Sequence, residues 1–523
     1  MNEAQYRELC EACDSLLLSN DVQPETIAVS WLHVIREHPF FLKRYDDLFA
    51  VPKTWLSSAK TIAKKVQYAA GCLRQMFRAV LFSGEYWRFS QNPNGQIDIL
   101  FISHLLNESD FKNAADFYFG NLPELIHKKG FRVLVALIDH SGNSNSSREL
   151  IWGESLCPRV VLSTRLDFQG ELSIFRKLRK ESIRLRKISR QIQSNLFRAK
   201  VLAHASIEAM SSGSRAALRI SEQVNRLVVA TNPKMIIVTY EGHAWERMAF
   251  SAARDVSAEV MCVGYQHAAI FRLQHSALRM LGKKFDPDLV LTAGAVSQRQ
   301  IVNALAVQGV KALTLGSNRA FAKPTQSEML ISGVDVEEHL QPSLAPCNVC
   351  IVLPEGILSE CRLMADFSLR CAILMPEIRF ILRLHPLVSP EILMRELPSL
   401  QALPANVEFS NISLEEDMKR ASYALYRGST AIVNMACFGV QPVYLTQLDE
   451  MTIDPLYELA DHRVSVASPE DFKTKIFSEK ATTRNLDQEK IAFARYCADF
   501  YLPLDPEIII SKLHMLKMNA VNR

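Results

Sequence analysis

Four short stretches of this sequence place chemically useful side chains beside turn-forming residues. The first is Tyr240-Glu241-Gly242-His243-Ala244-Trp245-Glu246, which follows the apolar run Lys234–Tyr240 (KMIIVTY). A carboxylate at a strand-to-helix turn, with a glycine after it for close backbone approach, can act as a base on a hydroxyl or as a nucleophile. Glu241 can equally complement the positive end of the helix that follows, and for Glu246, in the first helical turns, this is the stronger reading. The neighbouring run Val260–Tyr265 ends at Gln266-His267. His267 is therefore placed to face Glu241 across a crevice, and His243 and His267 are candidates to orient it.

The other three stretches lie later in the chain. Val349–Gly356 (VCIVLPEG) is an apolar strand ending in Pro354-Glu355-Gly356, and Phe380–Pro386 (FILRLHP) ends in Arg383-Leu384-His385-Pro386. Ala421–Arg427 is a strand that Gly428 breaks, Ser429 or Thr430 caps a short helix, Gly439 ends it and Pro442 opens the next strand. A small-residue loop feeding a helix leaves backbone N–H groups unpaired at the positive end of the dipole, so an anion, most often a phosphate, fits there. Arg427 adds a charged donor. The plain alternative is an ordinary strand–helix corner. Three successive strands ending in polar, turn-forming groups weigh against it, because open parallel sheets bind ligands at the carboxyl ends of their strands.

Composition bounds the setting. The chain has 523 residues, 48% hydrophobic and 22% charged, with a net charge of +4. That is enough chain for two or three globular domains, and too mild a charge to indicate nucleic acid. No apolar run reaches transmembrane length, and the acidic, interrupted N-terminus does not read as a secretory signal. Eleven scattered cysteines, an odd number, predict free thiols in a reducing, cytoplasmic setting. Cys10/Cys13 and Cys347/Cys350 have CxxC spacing, but no further cysteine or histidine completes a zinc site.

Along the chain, residues 1–95 read as a helical region, including a helix over Thr61–Phe82, and Asn92–Gly95 is a turn cluster. His33 and His38 read as surface or packing histidines. Strands at Ile97–Ser103, ending at His104, and Phe131–Ile138, ending at Asp139-His140-Ser141, flank a helix predicted over Asp110–Lys129; two further strands are predicted at Leu289–Ala293 and Leu313–Gly316. This alternation predicts a parallel sheet over residues 96–320. Residues 171–200 predict one strongly basic helix. Phe175, Leu178, Leu185, Ile188, Ile192 and Leu196 form an apolar stripe, and Arg176, Lys177, Arg179, Lys180, Arg184, Arg186, Lys187 and Arg190 crowd the remainder. It is either a solvated helix or an anionic-surface binder, for headgroups or an acidic glycan. Asp286-Pro287-Asp288 has the spacing of metal-clamping sugar transferases, but it precedes a strand and reads as turn chemistry. Ala320–Pro346 is the expected linker, 347–468 a second α/β domain, and 469–523 a helical tail.

Two open α/β halves, with Glu241-Gly242 in the first and His385-Pro386 and Ser429-Thr430 in the second, resemble the two-Rossmann (GT-B) glycosyltransferases over roughly residues 97–480. The second half is similar to bacterial transferases that use CMP-activated acidic sugars (sialyltransferases and Kdo transferases), and YEGHAWE, GYQHA and PDLVLTAG are similar to bacterial surface-carbohydrate proteins. Two departures stand out: Tyr240 where those families often have a second acid, and Asn434 near the place of a ribose-binding glutamate. The resemblance implies a cytoplasmic enzyme, with peripheral contact to the inner membrane through 171–200 as a further option, that moves an acidic sugar from a CMP donor to a lipid-linked surface glycan, with no cofactor and no metal, since a monophosphate ester lacks the diphosphate that a metal would clamp. His385, Ser429 and Thr430 would hold the CMP phosphate, Arg383 or Arg427 would stabilise the leaving group, Pro354-Glu355-Gly356 would approach the nucleotide, and Glu241 would be base or nucleophile. A UDP-sugar epimerase of the same fold and a non-catalytic binding module in polysaccharide assembly are the alternatives.

Overall fold

The computed structural model describes residues 1–49, 56–81, 86–89, 95–107, 112–113, 115–141, 153–305, 309–320, 348–479 and 493–521. Within them the chain builds two open α/β sheets. The first contains β1 (Trp87–Phe89), β2 (Ile99–Leu105), β3 (Val133–Asp139), β4 (Arg159–Leu162), β5 (Met235–Thr239), β6 (Met261–Gln266), β7 (Leu289–Thr292) and β8 (Ala312–Thr314). Their order is β1-β4-β3-β2-β5-β6-β7-β8, parallel throughout except for β1 at the edge. The second contains β9 (Val349–Leu353), β10 (Arg379–Leu382), β11 (Val407–Phe409), β12 (Tyr423–Tyr426), β13 (Gln441–Leu445) and β14 (Val464–Val466), all parallel, in the order β11-β10-β9-β12-β13-β14. The protein is an α/β molecule with two Rossmann-like halves.

The strands read as unbroken apolar runs because both faces of each sheet are covered. Along β2 and β3 alternate residues enter different cores. Leu100, Ile102, Leu134 and Ala136 pack on one face of the sheet, and Ile99, Phe101, Val133 and Val135 on the other. In both sheets the connection reverses direction beside the strand that starts the wind. In the first this happens between β2 and β5, and in the second between β9 and β12. Those two positions are where a doubly wound sheet opens a crevice.

Both ends of the chain are tied to the first half. Residues 1–49 share a core with the helices that follow β4: Leu9, Trp31 and Leu32 pack with Leu166, Leu178, Leu202 and Ala205. They thus pack directly on the first half. The terminal helix Glu507–Val521 crosses back onto the first sheet, burying Ile509, Ile510 and Leu513 against the β2–β3 face.

Several elements differ from expectation. In place of one helix over 110–129, the described residues hold a short helix at Leu122–Lys128. Asp116 accepts the N–H groups of Tyr118 and Phe119, and Gly120 adopts a φ of +58°, so the chain turns where a helix was expected. The basic stretch forms two helices, Phe168–Gln191 and Leu196–Glu208, because Asn195 caps a second start by accepting from the Arg198 N–H. Residues 321–346 of the expected linker, Asn92–Asn94 of the turn cluster, Phe82 and Cys347 lie outside the described residues.

Candidate functional site

The carboxyl end of β5 carries the first group. Glu246, on the first turn of the Ala244–Val256 helix, accepts backbone N–H bonds from Glu241, Gly242 (2.7 Å) and His243 (2.8 Å). Glu246 thereby fills the helix N-terminus from within, as its position in the sequence implied, and burial pushes its carboxyl up to about 7. Gly242 has a φ of +84°, and a Cβ there would lie 2.3 Å from the Ser276 carbonyl carbon. With those donors consumed, the Glu241 side chain is left to face the interior of the cleft.

Glu241 Oε2 lies 3.4 Å from His243 Nε2. Burial works against a charge on either group. The hydrogen bond between them, with His267 and Arg36 nearby, outweighs it, so Glu241 is held well below the usual carboxylate range and His243 above its ordinary value. Beside this pair His104, at the end of β2, shares Nδ1 with His140 Nε2 at 2.9 Å and places Nε2 3.1 Å from the Thr239 hydroxyl. The His104 ring meets Trp245 edge-on, with ring centroids 5.1 Å apart. Burial keeps His104 neutral, down to about 3.

The carboxyl ends of β9 and β12 and the loop after β10 carry the second group. His385 Nδ1 accepts the Leu387 N–H at 3.2 Å, which fixes the ring tautomer and leaves Nε2–H free to donate. A Cβ on Gly356 would lie 2.7 Å from that imidazole, and one on Gly428 only 1.5 Å from Glu355 Oε1, so a side chain at either position would have to push His385 or Glu355 aside. Ser429 and Thr430 precede the Ala431–Cys437 helix, and neither hydroxyl has a hydrogen-bond partner among the described residues.

A single cavity of about 1060 Å³ joins the two groups, lined by His104, His140, Glu241, His243 and Trp245 from the first half and by Glu355, Gly356, His385, Gly428, Ser429, Thr430 and Asn434 from the second. Glu241, His243, Glu355, Gly356, His385, Gly428, Ser429 and Thr430 are thus brought together. Others of the expected set are not. Arg383 turns back to Asp417 at 2.8 Å, to the Ser410 hydroxyl and to the Ile412 carbonyl. Arg427 is buried between Glu450 at 2.5 Å and Glu360 at 3.3 Å, because the strand's alternation points it beneath the loop. Pro354 is buried, Pro386 is exposed, and neither lines the cavity. His267 also stands off the lining, with its ring against Tyr118 at 4.4 Å, and burial brings it down to about 4, which keeps the ring neutral at neutral pH.

Three lining or bridging residues were not foreseen. Arg319, just after β8, lines the cavity, and among the described residues its guanidinium has neither an ion pair nor a hydrogen-bond partner. No motif marks it, since it stands in a polar stretch of unremarkable composition. Arg36 reaches from the N-terminal region to Glu355 Oε2 at 3.0 Å, with its plane over Phe271, and His38 Nε2 lies 3.2 Å from the other carboxylate oxygen. His38 is therefore more than a packing histidine. Burial raises the Glu355 carboxyl, but the His38 and Arg36 partners prevail and hold it below the usual range. The Asp286-Pro287-Asp288 acids are structural: Asp286 pairs with buried Arg247, and Asp288 accepts the Cys262 N–H.

No family model and no curated protein matches the chain. Solved structures similar to it include the glycosyltransferase SnogD from Streptomyces nogalater, at 13% identity and a TM-score of 0.42, over 80% of this chain and 100% of that one. A UDP-GlcNAc 2-epimerase from Neisseria meningitidis bound to UDP-GlcNAc is similar at 11% identity and a TM-score of 0.42, with the same coverages. An alpha,alpha-trehalose-phosphate synthase (UDP-forming) from Burkholderia vietnamiensis is similar at 10% identity and 0.42, over 80% and 99%. Likenesses this distant carry nothing about donor or acceptor.

Proposed function

We propose that the protein is a glycosyltransferase that moves an acidic sugar from a CMP donor to a glycan acceptor. The observation that carries this reading is the shared cavity: one wall presents an ionised carboxylate among histidines, and the facing wall presents an anion seat made of an imidazole N–H, two unpartnered hydroxyls and a helix start. The donor phosphate sits against His385, Ser429 and Thr430. The acceptor, a lipid-linked glycan, enters over Trp245 and the His104–His140 pair, and its hydroxyl faces Glu241.

In the direct form of the reaction the acceptor oxygen forms a bond to the anomeric carbon, the bond from that carbon to the phosphate oxygen breaks, and CMP leaves with the electron pair. The hydroxyl proton passes to the Glu241–His243 pair, which titrates as a unit. His385 and Arg319 oppose the charge that builds on the departing phosphate, the work that sequence reading gave to Arg383 or Arg427. In the two-step form Glu241, held ionised by His243, bonds to the anomeric carbon as CMP leaves with the electron pair, and the acceptor oxygen then displaces the carboxylate while its proton passes to the freed Glu241–His243 pair. A carboxylate held this acidic favours that form, because it is a weak base and remains charged at neutral pH.

The test is a thermal-shift titration of the purified chain with CMP, CDP, UMP and UDP. A ligand at about 100 times its Kd stabilises the native state by roughly 2.7 kcal/mol. A shift with CMP alone, lost in His385→Ala, is the expected outcome. A shift with UDP alone would replace the reading with a UDP-sugar enzyme, transferase or epimerase. No shift with any nucleotide would leave a glycan-binding module.

A further inference from the structure

The helix Leu56–Leu81 packs on the protein by the wrong face. Its inward side is polar or small: Lys64 pairs with Glu208, Tyr68 donates to the same carboxylate at 3.0 Å, Gln75 donates to the Thr164 carbonyl, and Gly71 sits against the Arg215 guanidinium. Its outward side carries Ile62, Val66, Leu73, Phe77, Val80 and Leu81, each between 57% and 66% exposed. At 100° per residue these six fall within an arc of about 100°. An amphipathic helix normally buries such a stripe, and here the stripe is turned to solvent.

The charges on the helix have one sign. LSSAKTIAKKVQYAAGCLRQMFRAVL contains no Asp or Glu. Lys65 flanks the stripe on one side, and Lys60, Arg74 and Arg78 flank it on the other; all four are exposed, without an acidic partner among the described residues. The adjoining helix Phe168–Gln191 continues the pattern. Its two acids, Glu171 and Glu181, are buried and bound to Arg219 and Arg184, while Arg176, Lys177, Arg179, Lys180, Arg186, Lys187 and Arg190 are exposed. No helix among the described residues is long and apolar enough to cross a membrane. A second copy of the chain would set cations against cations across a twofold axis. An apolar stripe edged by cations, on a helix that lies along the surface, is the pattern of a helix seated in the headgroup region of a bilayer.

We propose that the Leu56–Leu81 helix seats the protein on an anionic lipid surface, its apolar stripe in the headgroup–acyl boundary and its cations, with those of Phe168–Gln191, on the phosphates. The surface thus centres on a helix not foreseen for this role, and the basic stretch foreseen for it is an auxiliary. The inference stands apart from the donor assignment.

The experiment is flotation of the full chain with vesicles of phosphatidylcholine containing phosphatidylglycerol, and with vesicles of phosphatidylcholine alone. The chain should float with the anionic vesicles, stay behind with the neutral ones, and be released by 0.5 M NaCl. L73E/F77E should lower the bound fraction at least tenfold at an unchanged unfolding midpoint, since both positions are exposed. K65Q/R74Q/R78Q should lower affinity roughly fivefold per cation. Equal binding to both vesicle types, or no effect of L73E/F77E on flotation, overturns the proposal. So does a sedimentation result in which L73E/F77E converts a dimer to a monomer, which would give the face to a second copy.

Discussion

At the scale of single residues the cleft divides into groups whose bonding is complete and groups whose bonding is not. Arg427 and Arg383 are spent on Glu450, Glu360 and Asp417. Arg319 keeps its donors open toward the cavity. A charge-assisted hydrogen bond to an anion contributes about 1.5–3 kcal/mol, so Arg319→Ala should raise the donor KM roughly 10- to 100-fold, with Arg319→Lys in between. Arg383→Ala, whose partner Asp417 is fully buried, should instead lower stability. A donor KM that rises for Arg383→Ala and not for Arg319→Ala would reverse the assignment. Glu241→Gln keeps the shape of the side chain and removes its charge. It should lower turnover by a factor of about 10²–10⁴ while the CMP thermal shift is retained, which separates the chemical step from donor binding.

At the scale of elements, the central strands, the loops after them and the edge strand β8 were legible, and the other short strands were not. β2, β3, β5, β6, β7, β9, β10, β12 and β13 fall on apolar runs long enough to announce buried strands. β1, β4, β11 and β14, of three or four residues, were not read as strands, and pairing across the sheet decides their conformation. Glu241, His385 and Ser429-Thr430 were legible because each stands just past a strand at or near a switch point. The direction of Arg427 was not, because a one-residue change of face decides between cavity and core. Arg36, His38 and Arg319 come from segments whose contacts are distant in sequence, and nothing local encodes them. The Gly428 loop gives an element-scale test. A methyl group there would lie 1.5 Å from Glu355 Oε1, so Gly428→Ala should destabilise the second half by about 1–3 kcal/mol. Combining it with Glu355→Ala should cost less than the sum of the two, and strict additivity in that double-mutant cycle would show that the contact is not what constrains the loop.

At the scale of the molecule, the chain closes on itself around the cleft. Its first residues reach Glu355 through Arg36 and His38, and its last helix returns to the first sheet, so the cavity is bounded by parts of the whole length. The cleft also stores a sensitivity to acid. Burial lowers His104 to about 3 and His267 to about 4, whereas an unfolded histidine titrates near 6.5. Between pH 6.5 and about 4 the unfolded chain therefore binds protons that these two rings do not, and they make stability fall as pH falls through that window, against the opposite pull of Glu246 and His243, which hold their protons more tightly in the fold. Each histidine adds a slope of at most about 1.4 kcal/mol per pH unit. Glu241 and Glu355 are displaced in the other sense of charge: their folded carboxyls lie below the usual range, so their contribution is present at neutral pH and is lost only at the acid end, as pH falls through the folded values. The apparent thermal midpoint should decline from pH 7 to pH 5 before the carboxylates matter. His104→Gln and His267→Gln should each flatten that decline while costing some stability at pH 7. A pH dependence between pH 7 and pH 5 that both substitutions leave unchanged would mean that these rings are protonated at no cost in the folded cleft. The proton accepted from the acceptor hydroxyl would then have to be traced through His104 as well as His243.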